Sequence, residues 1–366
     1  MKINTMILCS LMLISSCNSE STKLNRKISS VDALQPKVEQ GEIWGEKEVQ
    51  RMNKIAEIFH DTLVETTGDD KMMRRDAHPK HHGCVQTRLT IDNSRLPQDL
   101  RVGLFSENKT YNGIARFSNG DPDFTKGDSE KDVRGFALKL FDVPYRNYLQ
   151  QIGFDDEANV HDMVMMNADN FFIPNPKAYE KFMKSTRGRW GVLSYLAFHW
   201  GTLRNILKAR VQVSNPLDID YASATPYKLG SMSMKMKIKS CKEKKDSIPK
   251  KGAHNYLGER LENSLKENEG CFEFFVQPNR DPKNNNIENA MALWNEKESP
   301  LIKVGKLAIL KQTGFRSEEK MKSCEDMTFN PWRSPEDNRP MGGVNRIRLE
   351  VYLNQSKLRH EYNGVN

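Results

Sequence analysis

Long hydrophobic runs are missing from this sequence. The one apolar stretch near its start, residues 6–14, is too short to span a bilayer. With a mean hydropathy of −0.71, that excludes a polytopic membrane protein. Cysteine is scarce, six in 366 residues, and no pair has CxxC spacing. A small disulfide scaffold and a thiolate zinc or redox site are therefore excluded. The 22 glycines and 16 prolines follow no fibre period. Charge of one sign is also lacking, since 56 basic side chains against 48 acidic ones leave only +8. The densest basic stretch, residues 235–251, has no aromatic among its lysines. It reads as a solvated loop following a strand, so no nucleic-acid partner is expected. No nucleotide-binding motif, internal repeat or second linker is visible. What is present, 28% charged residues with aromatics throughout, suits a globular chain with one large core or two modest ones.

Residues 1–16 combine Lys2, the apolar run and Ser15-Ser16, the build of a secretory signal. Ile14-Ser15-Ser16-Cys17 resembles the lipobox of bacterial lipoproteins, which makes Cys17 the lipidated N-terminus. The expected product is exported, anchored to a membrane and facing the periplasm or the cell surface; soluble secretion is the alternative. Residues 17–42 show no apolar period and read as a tether, leaving residues 43–366 as one folded domain. Its four cysteines, Cys84, Cys241, Cys271 and Cys324, allow three pairings. Cys271, in the apolar run 271–276, reads as a buried free thiol.

Residues 45–65 place Met52, Ile55, Ile58, Phe59 and Val64 at helical spacing. Strand patterns follow at 83–91, with Val85, Leu89 and Ile91 on one face, then at 114–118, 133–141 and 161–166. Residues 176–210 are helix-compatible but broken by Gly188, Gly191 and Gly201. In 231–239, Met232, Met234, Met236 and Ile238 alternate with Ser233, Lys235 and Lys237, the period of a strand. Residues 272–276 and 302–310 are further strands, and 346–360 form a helix after Pro340 and Gly342-Gly343. Many strands with peripheral helices imply one α+β domain around an antiparallel sheet or barrel.

The last helix carries the most measurable constellation. Arg348, Tyr352, Gln355 and Arg359 fall at i, i+4, i+7 and i+11, on one face beside the stripe Ile347, Val351 and Leu358. A tyrosine flanked by arginines is suited to holding a phenolate, because a guanidinium or a metal cation nearby favours the anion. A solvent-facing rim is the plainer reading. Near the first strand, His78, His81 and His82 lie within five residues. Their spacing does not suit zinc, and a basic loop is the plain alternative.

Six ordered segments resemble the catalase superfamily, in its short, catalase-like branch. Arg75 and His78-Pro79-Lys80 followed by Gly83 look like the distal-histidine motif. Ala115-Arg116-Phe117-Ser118 resembles V-R-F-S, and residues 133–139 (VRGFALK) resemble R-G-F-A-x-K. Residues 162–173, with Asn167 and Phe171-Phe172-Ile173, are similar to the strand carrying the distal asparagine. Residues 301–307 (LIKVGKL) match the L-I-x-V-G-x-L strand, and Arg348 to Tyr352 match the proximal R-x-x-x-Y. The resemblance runs from about residue 72 to 360.

It implies an eight-stranded antiparallel β-barrel with peripheral helices, binding haem b; catalase is the known example of tyrosine-ligated haem. Tyr352 is then the axial iron ligand, with Arg348 on its phenolate. His78 and Asn167 face the iron from the other side, and Arg75, Arg116 and Arg359 pair with the propionates. Ser118 shares a strand face with Arg116 and is implied to bond His78, fixing its tautomer. Phe171 is expected against the haem; Phe117, Phe136 and Phe172 are wall candidates or plain core. The implied reaction is haem-dependent decomposition of hydrogen peroxide, as catalase or peroxidase in oxidative-stress defence, through an oxyferryl species. His81, His82, Met165 and Met166 replace smaller or polar family residues. Conversion of organic or fatty-acid hydroperoxides, as in catalase-related allene oxide synthases, and a non-catalytic haem-binding lipoprotein are therefore alternatives. Assembly into a homo-oligomer is compatible with the resemblance.

Overall fold

The computed structural model describes residues 40–154, 157–188, 190–243, 245–250 and 252–365. The signal, Cys17 and the tether up to residue 39 lie outside them. Helix α1 (Glu48–Thr67) leads into β1 (His81–Ile91), β2 (Thr110–Asn119) and β3 (Arg134–Leu140), then the short α2 (Tyr148–Gln151) and β4 (His161–Met166). Helices α3 (Pro176–Thr186), α4 (Gly191–Phe198) and α5 (Trp200–Ala209) follow, split near the expected glycines. The chain continues through β5 (Tyr221–Ala222), β6 (Tyr227–Leu229), β7 (Met232–Ser240), α6 (Tyr256–Glu267), β8 (Gly270–Pro278), β9 (Ile302–Ile309), α7 (Glu318–Asp326) and α8 (Gly343–Asn363).

All strand pairs are antiparallel, and the order β5-β4-β3-β2-β1-β9-β8-β7 closes because β5 also pairs with β7. That is an eight-stranded barrel, with β6 pairing along the remaining length of β7. Alternation decides what fills it. Val85, Leu89, Phe117, Phe136, Leu138, Met163, Met165, Met234, Met236, Phe272 and Leu307 are buried in one cluster. Phe136 stacks its ring 5.2 Å from Phe117 and 5.3 Å from Tyr221. Phe117 and Phe136 are thus barrel core, which settles the choice their sequence left open.

A second core lies outside the barrel, where Ile55 and Phe59 of α1, Tyr179 and Met183 of α3 and Ile347 and Val351 of α8 pack with Trp332. Arg346 fixes the register of α8, its buried guanidinium reaching Glu48 at 2.5 Å, Glu42 at 3.1 Å and Glu288 at 3.1 Å. Glu42, read as the end of the tether, belongs here to the folded body; it also meets Arg339 at 2.7 Å.

Cys271 is not a free thiol. It is bonded to Cys241, and Cys84 is bonded to Cys324. The apolar run around Cys271 set only its burial; the partner Cys241 directly follows β7, whose last residues lie beside the start of β8.

Candidate functional site

Because Phe117, Phe136 and Met165 point into the barrel, their neighbours on β2, β3 and β4 point out. Ser118 is in register with Gly135, and Gly135 with Met166; Arg116 is in register with Ala137, and Ala137 with Val164. Three strands therefore present a floor of mostly small side chains, edged by Arg116. The loop before β1 hangs His78 over it.

His78 sits at φ 61°, a left-handed backbone rare for a residue with a side chain. Its carbonyl accepts from the Arg116 guanidinium at 2.9 Å, and its Nδ1 lies 3.2 Å from the Ser118 hydroxyl. Gly135 leaves room for the ring: a Cβ there would lie 2.6 Å from His78 Cε1 and 2.7 Å from Ser118 Oγ. Burial, followed by the charges of Arg116 and Arg75, lowers His78 to about 4. The imidazole is therefore neutral near pH 7.

Helix α8 supplies Arg348 and Tyr352, one turn apart. The Arg348 guanidinium donates to the Tyr352 hydroxyl at 3.2 Å, to Thr225 Oγ1 at 3.2 Å and to Asn345 Oδ1 at 3.0 Å. Burial works against the charge of Arg348, but the phenols of Tyr352 and Tyr227 outweigh it and raise its pKa. The positive charge of Arg348 also acts on His78, which places the strand side and the helix side of the site within electrostatic reach. On the same helical face the Gln355 amide nitrogen is buried without a hydrogen-bond partner.

The three arginines assigned to one role do converge. Arg75 and Arg116 each lie 3.3 Å from the Glu325 carboxylate, Arg359 lies 3.6 Å away, and His81 Nε2 3.7 Å. Glu325, on α7, is buried and directly follows the disulfide-bonded Cys324. Burial and Arg75 push Arg116 down to about 9, and the same two causes lower Arg359 to about 9. One carboxylate does not neutralise three guanidiniums, and the remaining potential suits carboxylates from a ligand. Sequence reasoning missed Glu325. The signal available was that three arginines in apolar surroundings need at least one buried acid.

Other expected residues are placed as follows. Phe171 packs 4.5 Å from Phe172 and 5.8 Å from Tyr179, against α3 beside the α8 face. Asn167 uses its amide on backbone, accepting from the Arg134 N–H at 2.7 Å and donating to the Ala209 carbonyl at 2.9 Å. Among the described residues it makes no hydrogen bond to His78. His82 bonds Asn119 at 3.0 Å, away from His81.

No protein-family model and no curated protein matches this sequence. Among solved structures the chain is similar to a fungal catalase, with TM-score 0.62 and 16% identity over 83% of this chain and 64% of that one. It is similar to catalase A from Saccharomyces cerevisiae, with TM-score 0.62 and 16% identity over 91% and 70%. A bacterial catalase gives TM-score 0.59 and 17% identity over 84% and 63%. The chain thus spans less than two thirds of the length of the fungal and bacterial proteins. The likeness establishes the fold, a catalase-like α+β barrel with peripheral helices.

Proposed function

We propose that this chain is a haem-dependent oxidoreductase that breaks down hydrogen peroxide. Two observations support the reading, the Arg348–Tyr352 hydrogen bond and the His78–Ser118 pair, with the charge of Arg348 acting on His78. The donor set fits haem b. Tyr352 offers a phenol oxygen that Arg348 hydrogen-bonds, the floor of Ser118, Gly135, Ala137 and Val164 suits a flat macrocycle, and the arginine cluster suits its carboxylates. Arg75, Arg116 and Arg359 against Glu325 leave two positive charges, the number that two propionates neutralise. A bound haem iron supplies the Lewis acid and the electrons for cleaving an O–O bond.

The chain's own residues do the rest. With Nδ1 engaged by Ser118, Nε2 of His78 is proposed as the proton acceptor. Held neutral near pH 7, it takes the proton from one peroxide oxygen and returns it to the other. Arg348 orients the Tyr352 oxygen through its hydrogen bond, and Phe171 is proposed to close the edge of the site. An organic hydroperoxide is the second reading, supported by the rings that run outward from Phe171 through Phe172 to Phe182, the last pair 5.4 Å apart.

Export and lipidation at Cys17 are part of the proposal. The two disulfides, Cys84–Cys324 and Cys241–Cys271, support an oxidising compartment. The test is oxygen release from hydrogen peroxide by the haem-loaded chain and by its His78→Ala variant. The proposal expects gas from the first and, with haem retained, a rate lower by about a hundred-fold or more from the second. Equal rates would contradict the assignment of His78.

A further inference from the structure

We propose that the α4–α5 face is a docking surface for an anionic lipid bilayer. Phe198 is 85% exposed, Trp200 72% and Trp190 56%, a density of bare aromatic surface found nowhere else among the described residues. On α4 the exposed positions are Ser194, Ala197 and Phe198, continuing the line of Trp190; on α5 they are Trp200, Arg204, Leu207 and Lys208. Both sets follow helical spacing, so each helix turns one stripe outward, and Phe198 and Trp200 flank the corner where the helices join. Leu293, 54% exposed, belongs to the neighbouring loop, whose Met291 reaches the surface of α5 at Gly201.

Charge says which occupant fits. Between Glu180 and Asp218 the chain has seven lysines and arginines and no acid. Lys184, Arg187 and Arg210 are paired with Glu180, Glu65 and Asp121. Arg204 and Lys208 make no ion pair among the described residues, and they stand on the stripe that carries Trp200 and Leu207. Aromatic rings with long basic side chains at the same level suit a headgroup–acyl boundary: the rings enter it and the cations reach the phosphates. A protein interface core would instead be depleted of charge. No helix among the described residues is long and apolar enough to cross a membrane, so the contact lies in the plane of the surface.

The face also connects inward. Tyr195 of α4 packs 5.5 Å from Phe182, and Phe182 packs 5.4 Å from Phe172. Docking there places the chain with this aromatic layer between the bilayer and the candidate site.

The test uses the full chain with vesicles of phosphatidylcholine and phosphatidylglycerol whose acyl chains are brominated. Trp332 and Trp294 are buried, and Trp44 is half-buried under Arg346 against the second core, so quenching reports chiefly on Trp190 and Trp200. Expected is a fall in emission by roughly their share of the five tryptophans, absent from a Trp190→Phe, Trp200→Phe variant. Arg204→Glu with Lys208→Glu, at exposed positions that leave the cores intact, is expected to lower partition onto anionic vesicles by about ten-fold or more and to leave neutral vesicles unaffected. Chains that reach the vesicles with unquenched tryptophans would overturn the proposal, since a lipidated N-terminus alone brings the protein to the membrane. So would tryptophans already shielded from acrylamide without vesicles, the sign of a second copy on this face.

Discussion

The Ser118 hydroxyl lies 3.2 Å from Nδ1 of His78, and the backbone that brings them together is one that histidine seldom adopts. Left-handed strain of this kind costs on the order of 1–3 kcal/mol and persists only where surrounding contacts enforce it. Here Arg116 holds the His78 carbonyl and Gly135 leaves space for the ring. The arrangement spends stability on placing one imidazole, which is the pattern of a working group.

Gly135→Ala tests that placement. The new methyl would sit 2.6 Å from His78 Cε1 and 2.7 Å from Ser118 Oγ, so the ring must shift. The expected outcome is peroxide turnover per bound haem lower by about ten-fold or more, as a misplacement near 1 Å entails. Haem content and turnover are measured on the same sample.

The pH profile follows from burial and the two arginines that lower His78 to about 4. The neutral ring is the proton acceptor, and protonation removes it. Turnover is therefore expected to stay level from about pH 8 to 5 and to fall only on approaching 4, whereas an ordinary histidine loses it near 6.5. Initial rates in buffers of constant ionic strength decide the matter.

Glu325 makes the opposite linkage. Burial disfavours its charge, but Arg75, Arg116 and Arg359 hold it down to about 2, below the 4.5 of a free carboxyl. Its contribution to stability is complete above about 4.5 and is lost as the pH falls through about 2. Glu325→Gln is expected to cost about 3–5 kcal/mol at neutral pH, because it removes the shared acid of the buried Arg116 and Arg359 and the half-buried Arg75. Urea unfolding at pH 7 and pH 3 should show the gap between variant and parent narrowing at the lower pH.

Disulfide Cys84–Cys324 ties β1 to the helix that carries Glu325, across 240 residues of chain. Replacing both cysteines by serine is expected to cost about 2–5 kcal/mol. It should also loosen the arginine cluster, seen as faster haem loss. The same change at Cys241 and Cys271, far from these arginines in the chain, should affect stability without affecting haem loss.

Much of this was legible beforehand for physical reasons. Strands that wall a filled barrel must alternate, so β1 and β7 announced themselves through Val85, Leu89 and Ile91 and through Met234, Met236 and Ile238. The i, i+4 spacing of Arg348 and Tyr352 gave their contact directly. Other features left no periodic trace. β5 is two residues long; α6, by contrast, carries Leu257, Leu261 and Leu265 at i, i+4 and i+8, a helical stripe beside Gly258. Cys271 lay in an apolar run that fits a free thiol as well as a disulfide. Glu325 sits in a polar helix, where only the three-dimensional meeting of Arg75, Arg116 and Arg359 gives it meaning.

The absorption spectrum of the purified chain after addition of haem tests the central claim most directly, read beside that of Tyr352→Phe. The account predicts a stoichiometric complex with the bands of phenolate-ligated ferric haem, which the variant loses or holds far more weakly. A parent that stays colourless with haem supplied, or a variant whose bands and affinity match the parent's, would contradict it.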